Sequence, residues 1–169
     1  LALAGVFMQI LLTLIVKLIN IHDYDIFLKY NLSIMLFNLL PIIPLDGSII
    51  LKSILNKFFS FKTSYKLYIM ISVISIILYI LFNYKYSLNN YLIIGVFLYK
   101  MYKQVKEYKY IYNKFLLERY LKKYKFKYIS TKRGNLDILK IDTYQYFKES
   151  GKIVSEAKKL QERFDKTSI

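Results

Sequence analysis

The sequence predicts an all-α polytopic membrane bundle of about four transmembrane helices, one of them broken by proline, followed by a small basic α+β cytoplasmic tail. Three observations carry this expectation. Hydrophobic residues make up 56% of the 169 positions although the formal charge is +15, and one soluble core of this size does not accommodate both numbers. The apolar residues crowd the first 102 positions, whereas 19 of the 26 Lys and Arg and 8 of the 11 acids lie from Lys100 onward, which makes that part +11. Uncharged runs of span length recur in the first part. The chain therefore divides into a membrane part, 1–102, and a basic tail, 103–169.

Four spans follow in order, at about 1–18, 30–50, 67–84 and 86–102. The first opens at Leu1 inside an apolar run with no basic flank and no small-residue cleavage site, so it reads as a span with its start cut away rather than as a signal peptide. The second is uncharged from Tyr30 until Asp46. The third holds 18 residues without a charge, about 27 Å of helix at 1.5 Å per residue, and is the clearest of the four. The fourth is shorter and extends or tilts into Met101 and Tyr102. Orientation follows from the lysines. Lys52, Lys57, Lys62 and Lys66 occur with no acid between them, and basic loops stay on the cytoplasmic side, so this loop and the tail are expected inside and the loops near Lys29 and Lys85 outside. The expected location is a multi-pass position in a bacterial cell membrane.

The chemistry concentrates in Asn38-Leu39-Leu40-Pro41-Ile42-Ile43-Pro44-Leu45-Asp46-Gly47. Both prolines of the chain fall within four residues, each removing a backbone N–H and pushing the preceding residue out of the helical region. Non-helical backbone at membrane depth persists only where protein packs around it or water lines it, so the sequence points to an intramembrane cleft. An acid inside a span is a functional candidate by default, which singles out Asp46. Gly47 beside it allows another backbone or a ligand to come close. The plainer reading is that the prolines end a span and Asp46 begins a loop.

The ten residues resemble the N-x-x-P-x-x-P-L-D-G signature of site-2 proteases, the intramembrane zinc metalloproteases, and within that family the sporulation stage IV protein FB type, with six spans and a cytoplasmic tail. The resemblance implies that Asp46 is a zinc ligand and that Asn38 is a polar cleft group holding the substrate strand. Pro41 and Pro44 would shape the segment and Gly47 would give it room. Leu3-Ala4-Gly5 is similar to the family's A-G-P-L-x-N stretch, although Val6 stands where Pro is usual and Gln9 where Asn is expected. Phe115-Leu116-Leu117-Glu118-Arg119-Tyr120 resembles the tail of the sporulation-type members.

The family's H-E-x-x-H is missing. A catalytic zinc needs about three protein ligands and an open position for water, and zero cysteines exclude a thiolate site, a disulfide scaffold and a Cys nucleophile. The one histidine, His22, has no second His four residues away and reads as a solvated loop residue. In the family the His pair lies on an earlier span, so a complete protein is expected to carry two more spans upstream. On that expectation the activity is a metalloendopeptidase reaction, in which zinc-activated water attacks a peptide bond of a membrane-bound proprotein. This chain alone would be inactive. The alternative is a non-catalytic membrane binding or sequestering module, a pseudoprotease.

In the tail, Met101, Val105, Tyr108, Tyr112 and Phe115 follow the spacing of one helical face. With Lys103, Lys106, Lys109 and Lys114 outward, the helix either lies along an anionic leaflet or packs on the tail's own core. Residues 123–128 alternate Lys with aromatics, as a half-buried strand does. Turns are expected at 133–135 and 149–151, a strand at 144–147 and a helix at 154–164. About forty residues after Ile129 are few for the nucleotide-sensing CBS domain that sporulation-type relatives often carry. Lys outnumbers Arg 23 to 3, a bias that codon usage alone can produce. Expected partners are thus a membrane-embedded protein substrate and anionic lipid, with no nucleic acid.

Overall fold

A computed structural model describes residues 2–19, 24–82, 87–121, 126–149 and 152–165. The chain is helical with a small three-stranded sheet near its C-terminus. In order come α1 (Ala2–Ile19), α2 (Tyr24–Asn38), α3 (Asp46–Phe58), α4 (Phe61–Phe82), α5 (Leu88–Lys106), α6 (Tyr108–Leu121), β1 (Tyr128–Lys132), a 3-10 turn (Leu136–Ile138), β2 (Thr143–Glu149), β3 (Lys152–Ser155) and α7 (Glu156–Asp165). Two compact units result. The first comprises Leu1–Ser53 and Tyr68–Met101, the second Ile54–Leu67 and Tyr102–Ile169. The connection between α3 and α4 thus groups with the tail residues, a division that the sequence did not signal.

Among the described residues α4 is the one helix long and apolar enough to cross a membrane, and Gly5–Ile19 is a shorter apolar helix. The expected span at 30–50 is not one helix. α2 stops at Asn38 and α3 starts at Asp46, for the reason the two prolines give: neither can donate a helical hydrogen bond, and each disfavours helical backbone before it.

In the first unit Ile42, Ile76 and Phe97 form the buried centre, with Phe37, Leu40, Leu45, Tyr79 and Ile93 packed around them. The Phe37 ring lies 6.1 Å from Phe97 and 6.0 Å from Tyr79, distances at which aromatic pairs attract beyond simple burial. α1 and α2 are tied by polar groups. The Asn31 amide donates to the Gln9 carbonyl at 3.0 Å and to Thr13 Oγ1 at 2.7 Å, the kind of bond that joins helices where water does not compete.

The second unit is α+β. β1 pairs parallel with β2, and β2 antiparallel with β3 with Glu149 opposite Lys152. Thr143, Gln145 and Phe147 point inward while Tyr144 and Tyr146 take the other face, the period of two that a strand imposes. Gly134, after β1, has φ +139, a backbone that only glycine adopts without strain. The Ser155 hydroxyl accepts from the Lys158 N–H at 3.3 Å and so caps α7. Helix α7 begins at Glu156 and the strand before it takes up Val154, two residues later than the expected helix start. Tyr108, Tyr112 and Phe115 pack on a core of Phe61, Leu116, Leu139, Phe147 and Leu160. Of the two arrangements open for that apolar face, its central residues adopt packing on the tail's own core. Residues 123–125 of the alternating stretch lie outside the described residues, and β1 begins at Tyr128.

Buried inside this unit, Arg119 on α6 meets Glu156, the first residue of α7, at 2.5 Å and 2.8 Å. Its remaining N–H groups donate to the carbonyls of Lys140, Ile141 and Thr143 at 2.7–3.2 Å. The guanidinium has five donors, and all five are used. Glu156 also accepts from the Gln145 backbone N–H at 3.1 Å, so one ion pair joins α6, α7, β2 and the loop before it.

Candidate functional site

Residues 39–45 form a tight non-helical break, and its backbone groups find partners within the first unit. Leu40 N–H donates to Phe37 O at 3.1 Å, Ile42 N–H to Leu40 O at 2.8 Å and Leu45 N–H to Ile42 O at 2.6 Å. The Pro41 carbonyl, which no helix can use, accepts from Ser72 Oγ of α4 at 3.1 Å. Ser48 closes the far end, its hydroxyl and its N–H both donating to Leu45 O. Ser48 and Ser72 are each 0% exposed. A buried backbone group left unpaired costs about 1–3 kcal/mol, and these two serines remove that cost. Sequence reasoning missed both. The available signal was a serine in the middle of an apolar run, which must find an acceptor nearby.

Gly47 is the residue on which the break closes. A Cβ there would stand 2.0 Å from the Leu39 carbonyl oxygen and 2.6 Å from that of Leu40, so any side chain would collide with backbone. The close approach expected at Gly47 is therefore made by the chain's own turn. The peptide bond between Ile43 and Pro44 is cis, Pro44 is exposed and Ile42 and Ile43 are buried.

Asp46 is the first residue of α3 and is half-buried. The unpaired N–H groups and dipole of a helix start favour a carboxylate at this place. Among the described residues the carboxylate has neither an ion pair nor a side-chain hydrogen bond. It faces α1 closely: a Cβ at Gly5 would lie 2.7 Å from Asp46 Oδ2. The structure thus brings together Gly5 of the Leu3-Ala4-Gly5 stretch and Asp46 of the proline segment, two sequence matches 41 positions apart in the chain. Asn38 is the last residue of α2, half-buried at the opposite end of the break. Pro41 and Pro44 lie between them.

One carboxylate does not make a zinc site. No group of three or more His, Cys, Asp or Glu side chains comes together among the described residues, and a catalytic zinc takes about three protein donors. His22 lies outside the described residues. The residues present do not by themselves fit the metal. What the arrangement offers is a single oxygen donor of negative charge, held at a helix start beside irregular backbone.

No protein-family model matches the chain. It is similar to Stage IV sporulation protein FB of Bacillus subtilis (strain 168), with 32% identity over 108 residues, a match that covers 62% of this chain and 38% of that protein. The chain therefore matches well under two thirds of the length of this curated relative. The similarity supports a family relationship and agrees with the resemblance read from the Asn38 to Gly47 residues; it does not extend to a catalytic motif or a bound metal.

Proposed function

We propose that this chain forms the substrate-holding, C-terminal part of a multi-pass intramembrane zinc protease of the site-2 type, acting on membrane-embedded proproteins. The observation that supports this most is the Asn38 to Gly47 segment: its backbone leaves the helix, its freed carbonyl is taken by Ser72, and Asp46 is delivered beside Gly5, where an added Cβ would stand 2.7 Å from its Oδ2. Asp46 supplies one charged ligand, and the remaining donors, with the general base, come from sequence outside this chain. The Asn38 amide holds the unwound substrate strand. Lys52 to Lys66 and the tail face the cytoplasm, so α4 leads out and α5 leads back. Water then reaches Asp46 from the cytoplasmic side.

In the longer protein that this reading requires, Asp46→Asn is expected to lower zinc content and abolish cleavage while membrane insertion is unchanged, because one charge is lost with little change of size. Asn38→Ala is expected to slow turnover with metal retained. Full zinc content and activity in Asp46→Asn would overturn the ligand assignment. Cysteines introduced at Ser60, Ser87 and Ser155 in this cysteine-free chain report the topology through an impermeant thiol reagent applied to intact cells. Reaction only at Ser87 is the expected result, and labelling of Ser155 from outside would overturn the four-span arrangement.

A further inference from the structure

The second unit contains a cleft of about 450 Å³, a size typical of small-ligand sites, which run from about 300 to 1,000 Å³. Asn56 and Lys57 from the end of α3 form one wall; Lys127 at the entry to β1 and Lys140 with Asp142 before β2 form another. Three lysines thus line one concavity with a single acidic residue. Like charges held together in a concave surface repel one another and attract a counter-anion. Two of the walls are fixed in place. Lys140 Nζ donates to the Phe58 carbonyl at 2.7 Å, satisfying a carbonyl at the end of α3. Asn56 commits its side-chain oxygen to Ser64 Oγ, so its amide N–H groups remain as further donors. A ligand that matches several N–H donors and net positive charge carries several anionic oxygens, as a phosphate group does.

Location decides the source of that phosphate. Through the Asn56 to Ser64 bond the cleft touches the first turn of α4, the helix long enough and apolar enough to cross a membrane. The first turn of such a helix lies at headgroup depth, where anionic lipids present their phosphates to juxtamembrane lysines. We propose that this cleft binds the phosphodiester headgroup of an anionic membrane lipid through Lys57, Lys127 and Lys140. Lipid contact is thereby assigned to a built cleft and not to the face of Tyr108, Tyr112 and Phe115, which the unit's own core occupies. The proposal rests on α4 crossing the bilayer, which the labelling at Ser87 tests separately.

The test is native mass spectrometry of the chain purified in neutral detergent and supplied with phosphatidylglycerol or phosphatidylcholine. One phosphatidylglycerol per chain is the expected stoichiometry, with no retained phosphatidylcholine. Replacing Lys57, Lys127 and Lys140 by Gln is expected to weaken lipid binding about a hundred-fold, about five-fold for each lysine. Lys103→Gln, Lys109→Gln and Lys114→Gln together make the same charge change elsewhere and are expected to alter it by no more than about two-fold at 0.15 M salt. Because Lys140 also anchors Phe58, the pair Lys57→Gln and Lys127→Gln, expected to lose about 25-fold, reads the site if the triple variant fails to fold. Equal loss in the two triple variants would reduce the effect to general charge and overturn the site. Retention of phosphatidylcholine, or displacement of the lipid by equimolar inorganic phosphate, would overturn the headgroup assignment.

Discussion

The two units solve the same problem, a polar group inside protein, with different chemistry. In the first, buried polar groups are small and neutral: Ser48 and Ser72 serve carbonyls of the proline break, and the half-buried Asn31 joins α2 to α1. In the second, a full ion pair is buried, with Arg119 8% and Glu156 1% exposed, and every guanidinium N–H has an acceptor. Their outer surfaces differ in the same sense. Leu18 is 85% and Leu81 67% exposed in the first unit, a surface that hydrocarbon stabilises and water does not. The second unit centres on Leu116, Leu139 and Phe147, each fully buried, beneath a lysine-rich exterior. A buried guanidinium needs several acceptors assembled around it, whereas a serine hydroxyl is satisfied by one carbonyl.

The largest effect is expected from Glu156→Ala, which leaves Arg119 buried without its counter-charge, a loss of about 3–5 kcal/mol. Amide hydrogen exchange should then accelerate strongly in α6 and α7 and stay unchanged in 88–100. Equal acceleration in both places would break the comparison, since the units would be unfolding as one.

Gly47→Ala makes the reciprocal test. Its Cβ meets the Leu39 carbonyl at 2.0 Å, and forcing a methyl group into packed backbone costs about 1–3 kcal/mol. Exchange should rise at 39–50 while α6 and α7 are unaffected. Wild-type exchange in this variant would mean that the break opens freely and that the glycine is not what closes it.

The smallest effect sharpens the contrast between buried and exposed pairs. Asp137 accepts from Lys62 Nζ at 2.5 Å and from Tyr112 OH at 2.9 Å, and the Lys62 hydrogen bond, with that of Tyr112 adding, holds its carboxyl below the usual carboxylate range. A lowered folded-state pKa gives stability that is complete above the unfolded value of 3.8 and is lost as pH falls below it through the folded value. The side chain of Asp137 is 49% exposed, so solvent screening limits the gain to about 0.2–1 kcal/mol. The deficit of Asp137→Asn in thermal unfolding should be slight at pH 7 and shrink as pH falls below 3.8; a deficit that does not change with pH would assign the loss to the Tyr112 bond.

The sequence by itself determined the strong apolar helix at α4 and the interruption between Asn38 and Asp46. Those features depend on hydrophobic run length and on proline's missing N–H, which are local. It also marked Asp46 and Gly47, since an acid and a glycine beside two prolines are visible without any partner. Tertiary structure alone decided that Ser72 takes the Pro41 carbonyl, that Gly5 faces Asp46, that residues 54–67 join the second unit, and that Arg119 and Glu156, 37 positions apart, form its buried ion pair. Each of these is a pairing between distant segments. A hydroxyl or a guanidinium carries no mark in sequence of which acceptor it will reach; packing of the helices and strands fixes that choice by leaving one partner within hydrogen-bond distance.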